Sequence, residues 1–195
     1  MKFRRHRLLL AVALGVACIA SGAAQDDRGA KSKFKHSGKF QAAHDNVQDR
    51  TVVAFQPYVV KANFQDPSES VAITAGFIHP GRTLASRPQF IEFGVLSQAR
   101  NGWEFEQEKE RELTLVIDGE TVGLGGMKLI TARRFQLGVG RLYYREDLSH
   151  TMPYEGFVRM AHAKKVFVKV GKIELKLKTE HLEVMRDLIS RAEAS

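Results

Sequence analysis

The chain has 195 residues, 44% hydrophobic and 27% charged, with a formal net charge of +8 and one cysteine. That balance excludes a wholly disordered or collagen-like chain and suits one globular domain with appendages. A single cysteine excludes a disulfide framework, iron–sulfur ligation and a multi-cysteine zinc site.

The first element is a targeting segment. Lys2, Arg4, Arg5 and Arg7 form a basic head, Leu8 to Ala20 is apolar or glycine throughout, and Ser21-Gly22-Ala23-Ala24 supplies small residues before polar Gln25-Asp26-Asp27. This is the layout of a secretory signal peptide over residues 1–24, with cleavage expected after Ala23 or Ala24. The apolar run is shorter than the roughly 20 residues a spanning helix needs, and no later run is longer, so no transmembrane helix is expected. Cys18 lies inside the run and raises an alternative, a lipoprotein anchored through Cys18. Against it, Leu14 stands one position too early for a lipobox and apolar Ile19 follows the cysteine.

The first 24 residues carry four basic and no acidic side chains, which leaves the mature chain near +4. That weak excess is no basic footprint for nucleic acid, and no nucleic-acid partner is expected.

Gln25 to Arg50 is expected to be a flexible polar and basic tail. Phe34 and Phe40 are its main large apolar residues, and Lys31, Lys33, Lys35 and Lys39 flank them. Such composition offers little burial to offset ordering. It reads as a spacer, or as a basic-aromatic arm for a lipid or glycan surface.

Residues 51–195 are expected to form a single strand-rich domain. Val52 to Val60 is β-branched and aromatic, with Pro57 marking an edge strand or a break. Val71 to Phe77 and Ile91 to Val95 alternate with period two. Leu113 to Ile117 runs into Asp118-Gly119, a two-residue hairpin signal. Met127 to Ala132 and Leu142 to Tyr144 are short strand candidates. The glycines at 123, 125 and 126 precede a strand-like run rather than a helix, so they read as turn or bulge glycines and not as a phosphate loop. Pro153 to Ala163 reads as a short helix. Val166 to Val170 and Ile173 to Leu177 flank Gly171-Lys172, a hairpin with a type II′ turn. Thr179 is the expected N-cap of a last helix with an apolar stripe of Leu182, Met185, Leu188, Ile189 and Ala192. The expected class is α+β: an antiparallel sheet or β-sandwich-like domain with two C-terminal helices flanking a β-hairpin.

No chemical motif assembles in the sequence. Arg145-Glu146-Asp147-Leu148-Ser149-His150 is the densest cluster, but triads are built in space and not by neighbours, so it reads as a polar loop leading into the helix. Glu104, Glu106, Glu108, Glu110 and Glu112 recur at every second position; Gln107 to Arg111 is expected as a turn or rim, with the carboxylates solvated. No catalytic residue, metal ligand set or cofactor site is expected. The reading is an exported domain, periplasmic or extracellular, with a non-enzymatic binding or assembly role toward an envelope protein, glycan or lipid surface. The alternatives are an exported hydrolase with a site near Asp147, His150 and His162, and the Cys18 lipoprotein.

Overall fold

A computed structural model describes residues 33–62, 69–100, 102–105, 107–137 and 140–193. The expected signal segment and Cys18 lie outside them. Among the described residues ten strands and two α-helices follow in the order β1 (Phe40–Asp45), β2 (Arg50–Ala62), β3 (Ser70–Pro80), β4 (Phe90–Ala99), β5 (Glu112–Ile117), β6 (Glu120–Gly126), β7 (Lys128–Leu137), β8 (Arg141–Pro153), α1 (Tyr154–His162), β9 (Val166–Val170), β10 (Ile173–Leu177) and α2 (Thr179–Glu193). Every pairing is antiparallel. The strands make a six-stranded sheet, β1-β2-β3-β4-β8-β7, and a four-stranded sheet, β10-β9-β5-β6. The class is α+β, with both helices at the C-terminal end flanking the β9–β10 hairpin.

One apolar core joins the two sheets and the helices. Ile73, Ala75, Ile91, Phe93 and Val95 from the larger sheet, Leu113, Leu115, Val166 and Val168 from the smaller, and Phe157, Met160, Met185 and Leu188 from the helices are all buried. The expected stripe of α2 is buried in full, from Leu182 to Ala192. Its first turn begins one residue earlier than Thr179 suggests. The Lys178 carbonyl accepts the N–H groups of His181 and Leu182, and the Lys178 N–H donates to His181 Nδ1 at 2.8 Å. Both expected tight turns form. Asp118 and Gly119 have φ of 50° and 93°, as type I′ requires. Gly171 alone has positive φ, 53°, in the second hairpin, which matches type II′.

Three expectations are corrected. First, the tail expected at 25–50 contributes β1, which pairs with β2 from Phe40↔Phe55 to Asp45↔Arg50. From Lys33 to Phe40 exposure alternates, with lysines outward and Phe34, His36, Gly38 and Phe40 inward. His36 Nε2 lies 3.0 Å from Asp187 Oδ2 on α2, Arg191 Nε reaches the same carboxylate at 3.1 Å, and the Arg191 guanidinium sits 4.1 Å over the Phe40 ring. The arm is ordered because its few apolar groups find partners at the other end of the chain. The aromatic rings face the protein and not an outside surface.

Second, the edge expected around Pro57 does not extend over the whole of β2: the strand is covered from Arg50 to Gln56, whose N–H donates to the Lys39 carbonyl at 2.8 Å, and is free only beyond it. Pro57 falls there, in a bulge against β3 between Phe55 and Tyr58, so its missing N–H costs no ladder bond.

Third, Arg145 to His150 is no loop. It lies in β8, a 13-residue strand running between β4 and β7. Its polar residues are tolerated because each finds a place on one face or the other, as described next.

Gln107 to Arg111 is a turn, as expected: Glu108–Arg111 is a single 3-10 turn without buried residues. Glu110 accepts the Gln107 N–H at 3.0 Å, and Glu104 meets Lys172 Nζ at 3.2 Å. Glu106 lies outside the described residues.

Candidate binding trough

Alternation along a strand gives the six-stranded sheet two faces. One is the core. The other carries small and polar groups: Thr74, Gly94 and Ser149 lie side by side across β3, β4 and β8, and Ala72, Leu96 and Asp147 form the next row. Thr74, Asp147 and Ser149 are nonetheless buried, at 6–7% exposure. They are buried because they floor a cavity of about 350 Å³.

Every strand of the sheet lines this cavity, from Gln41 on β1 to Ile130 on β7. On a flat sheet, five strand spacings of ~4.8 Å would set those two strands about 24 Å apart. Sharing one small cavity requires the sheet to be rolled into a trough. Small floor residues permit the roll. A Cβ on Gly94 would lie 2.6 Å from Thr74 Cγ2. The β2 bulge brings Gln56 and Pro57 into the wall.

The trough is apolar over Ala54, Leu96 and Ile130 and polar toward β8. Arg145 Nε donates to Asp147 Oδ1 at 2.9 Å, with Nη2 at 3.5 Å from Oδ2. Ser149 Oγ donates to Glu92 Oε2 at 2.8 Å, and Thr151 Oγ1 donates to Oε1 of the same carboxylate at 2.5 Å. Thr74 Oγ1 donates to the Phe55 carbonyl at 2.6 Å. The hydroxyl protons are thus committed to internal acceptors, while the hydroxyl oxygens and the outer edge of the guanidinium stay open to a ligand.

Asp147, His150 and His162 are not brought together. Asp147 and His150 are three residues apart on one strand and point to opposite faces. His150 Nδ1 is 3.5 Å from the Gly126 carbonyl, and His162 is exposed at the end of α1. Among the described residues no histidine lines the trough beside Ser149. Among the described residues no group of three or more His, Cys, Asp or Glu side chains is placed to hold a metal. None of the described helices is long and apolar enough to cross a membrane.

Two buried titratable groups shape the domain instead. Glu146, on the core side of β8, accepts the Glu104 N–H at 2.6 Å and the Phe105 N–H at 3.1 Å. Burial raises its pKa above the ordinary carboxylate value, against the lowering effect of those two backbone bonds. It fixes the segment that places Phe105 in the core. His181 is 1% exposed, and with Nδ1 accepting from Lys178 its Nε2 donates to the Val59 carbonyl at 3.2 Å. Burial lowers its pKa below 6.5.

The signs differ. A histidine with a lowered folded pKa contributes stability above the unfolded value, lost as pH falls from 6.5 through the folded value. A carboxyl with a raised folded pKa contributes stability below 4.5, lost as pH rises through the folded value. Melting temperature should therefore fall on acidification below pH 6.5, and His181→Asn should flatten that slope. An unchanged slope in the variant would assign it to another group.

The signal that sequence reading missed is the off-core parity of β3 and β4. Ala72, Thr74, Gly76 and Gly94 are small where a solvated sheet face carries long charged side chains. No protein-family model matches the chain, and neither a curated protein nor a solved structure matches it.

Proposed function

We propose that the protein is an exported binding domain of the cell envelope, periplasmic or extracellular, which holds a small ligand in the trough. The trough carries this reading. A sheet face made of small residues lining a partly open, mostly apolar trough with a few oriented polar groups is the composition of a ligand site. The basic, apolar and small-residue sequence of the first 24 residues supports export.

The test is intact and native mass spectrometry of protein recovered from the envelope or medium. The expected mass begins at Ala24 or Gln25, with a bound molecule released on denaturation. Leu96→Trp, which fills the trough from β4, should lose that molecule. An intact Met1 species as the functional form would remove the export argument. Protein that is empty with and without the substitution would remove the trough reading. A diacylated Cys18 N-terminus would replace the soluble form by the anchored one.

A further inference from the structure

Positive charge is concentrated on one hairpin. Met127 to Arg145 holds five basic and no acidic residues; the first 24 residues hold four more, and all other residues together sum to −1. The segment is β7, its turn and the start of β8. β7 is the outermost strand of its sheet. The β4 ladder on β8 ends at Ala99↔Tyr144, while β7 and β8 stay paired out to Leu137↔Arg141, so the hairpin runs past its neighbour.

Lys128, Arg133, Arg134 and Arg141 are exposed. None of these four is in an ion pair among the described residues. Arg133 lies directly opposite Arg145, whose guanidinium is held by Asp147 at 2.9 Å, so Arg133 itself is left without an ion pair among the described residues. Apolar groups sit among the cations. Leu142 is 38% exposed, and Trp103, the chain's one tryptophan, packs edge-on against Tyr144 at 4.9 Å. Cations with tryptophan, tyrosine and an exposed leucine suit a headgroup interface better than a soluble polyanion, which offers the apolar groups nothing.

We propose that the projecting β7–β8 hairpin docks edge-on into the headgroup layer of a bilayer rich in anionic lipid, with Arg133 and Arg141 on one of its faces, Arg134, Leu142 and the Trp103–Tyr144 pair on the other, and the cations of both faces against headgroups. Docking in this way needs no ligand in the trough, although Arg133 shares the trough face of the sheet with Arg145.

The experiment is co-sedimentation with vesicles of phosphatidylcholine containing phosphatidylglycerol, and with phosphatidylcholine alone, following Trp103 fluorescence. The protein should bind only the anionic vesicles, with a blue shift of Trp103. R133Q/R134Q/R141Q should weaken binding about a hundredfold at moderate salt, roughly fivefold per charge. The corresponding triple lysine variant should retain binding, which separates loss of charge from loss of fold. Leu142→Ser should remove the part of the binding that survives high salt. The protein used is the form that begins at Ala24 or Gln25, so the basic and apolar residues 1–23 contribute nothing to vesicle binding and differences between variants report the hairpin. Binding unaffected by the glutamine variant, or lost equally in the lysine variant, overturns the proposal. So does binding to heparin without a Trp103 shift while anionic vesicles are ignored, which would mark a soluble polyanion site.

Discussion

Leu188→Ala should lower stability by about 2–5 kcal/mol. Leu188 is fully buried in α2, in the one core that joins both sheets. Truncation removes the transfer free energy of its side chain and leaves a cavity that helix, sheet and loop cannot all move to fill. In a chain of this size that is about 5–15 °C in melting temperature. Val47→Ala is the internal comparison, because Val47 is apolar but 94% exposed. Its effect should stay within about 0.5 kcal/mol. Equal denaturant midpoints for the two variants would mean that α2 does not seal the core.

Gly171→Ala should cost about 2–4 kcal/mol, from two sources. The φ of 53° is left-handed and costs an L-residue about 1–2 kcal/mol. The added Cβ would also collide with the Glu110 carbonyl oxygen, a backbone atom that cannot swing aside. The 3-10 turn therefore rests on the β9–β10 hairpin at this residue, where the Gly171 N–H also donates to the Glu112 carbonyl at 3.2 Å. Gly119→Ala isolates the conformational part, since its φ is 93° and its Cβ would meet nothing within 4 Å. The urea midpoint should fall further for Gly171→Ala than for Gly119→Ala. Equal shifts would show that the 3-10 turn is not held there.

The two tight turns and the α2 stripe were legible in sequence because their determinants are local: two φ-positive residues in one hairpin, one glycine in the other, one apolar face. β8 was not. Glu146 is acceptable in a strand only because Glu104 and Phe105, some forty residues earlier, point their N–H groups at it. Asp147 and Ser149 are acceptable only because the sheet behind them is rolled. β1 was hidden for the same reason, since Phe40 looks unpartnered until Arg191 is placed over it. The trough needs six strands at once, and no single window of sequence contains it.

The clasp between the N-terminal arm and α2 also orders events in time. His36 and Asp187 are 151 positions apart. A chain delivered from its N-terminus exposes His36, Phe40 and the β1 backbone long before the helix that receives them exists. Contacts at that separation carry the loop-closure cost that makes folding slow. β1 can pair with β2 early, but its inner face has no cover until the last helix arrives. The first strand is therefore among the last elements to be secured. A chain with that schedule stays unfinished, and threadable, for nearly the whole of its synthesis.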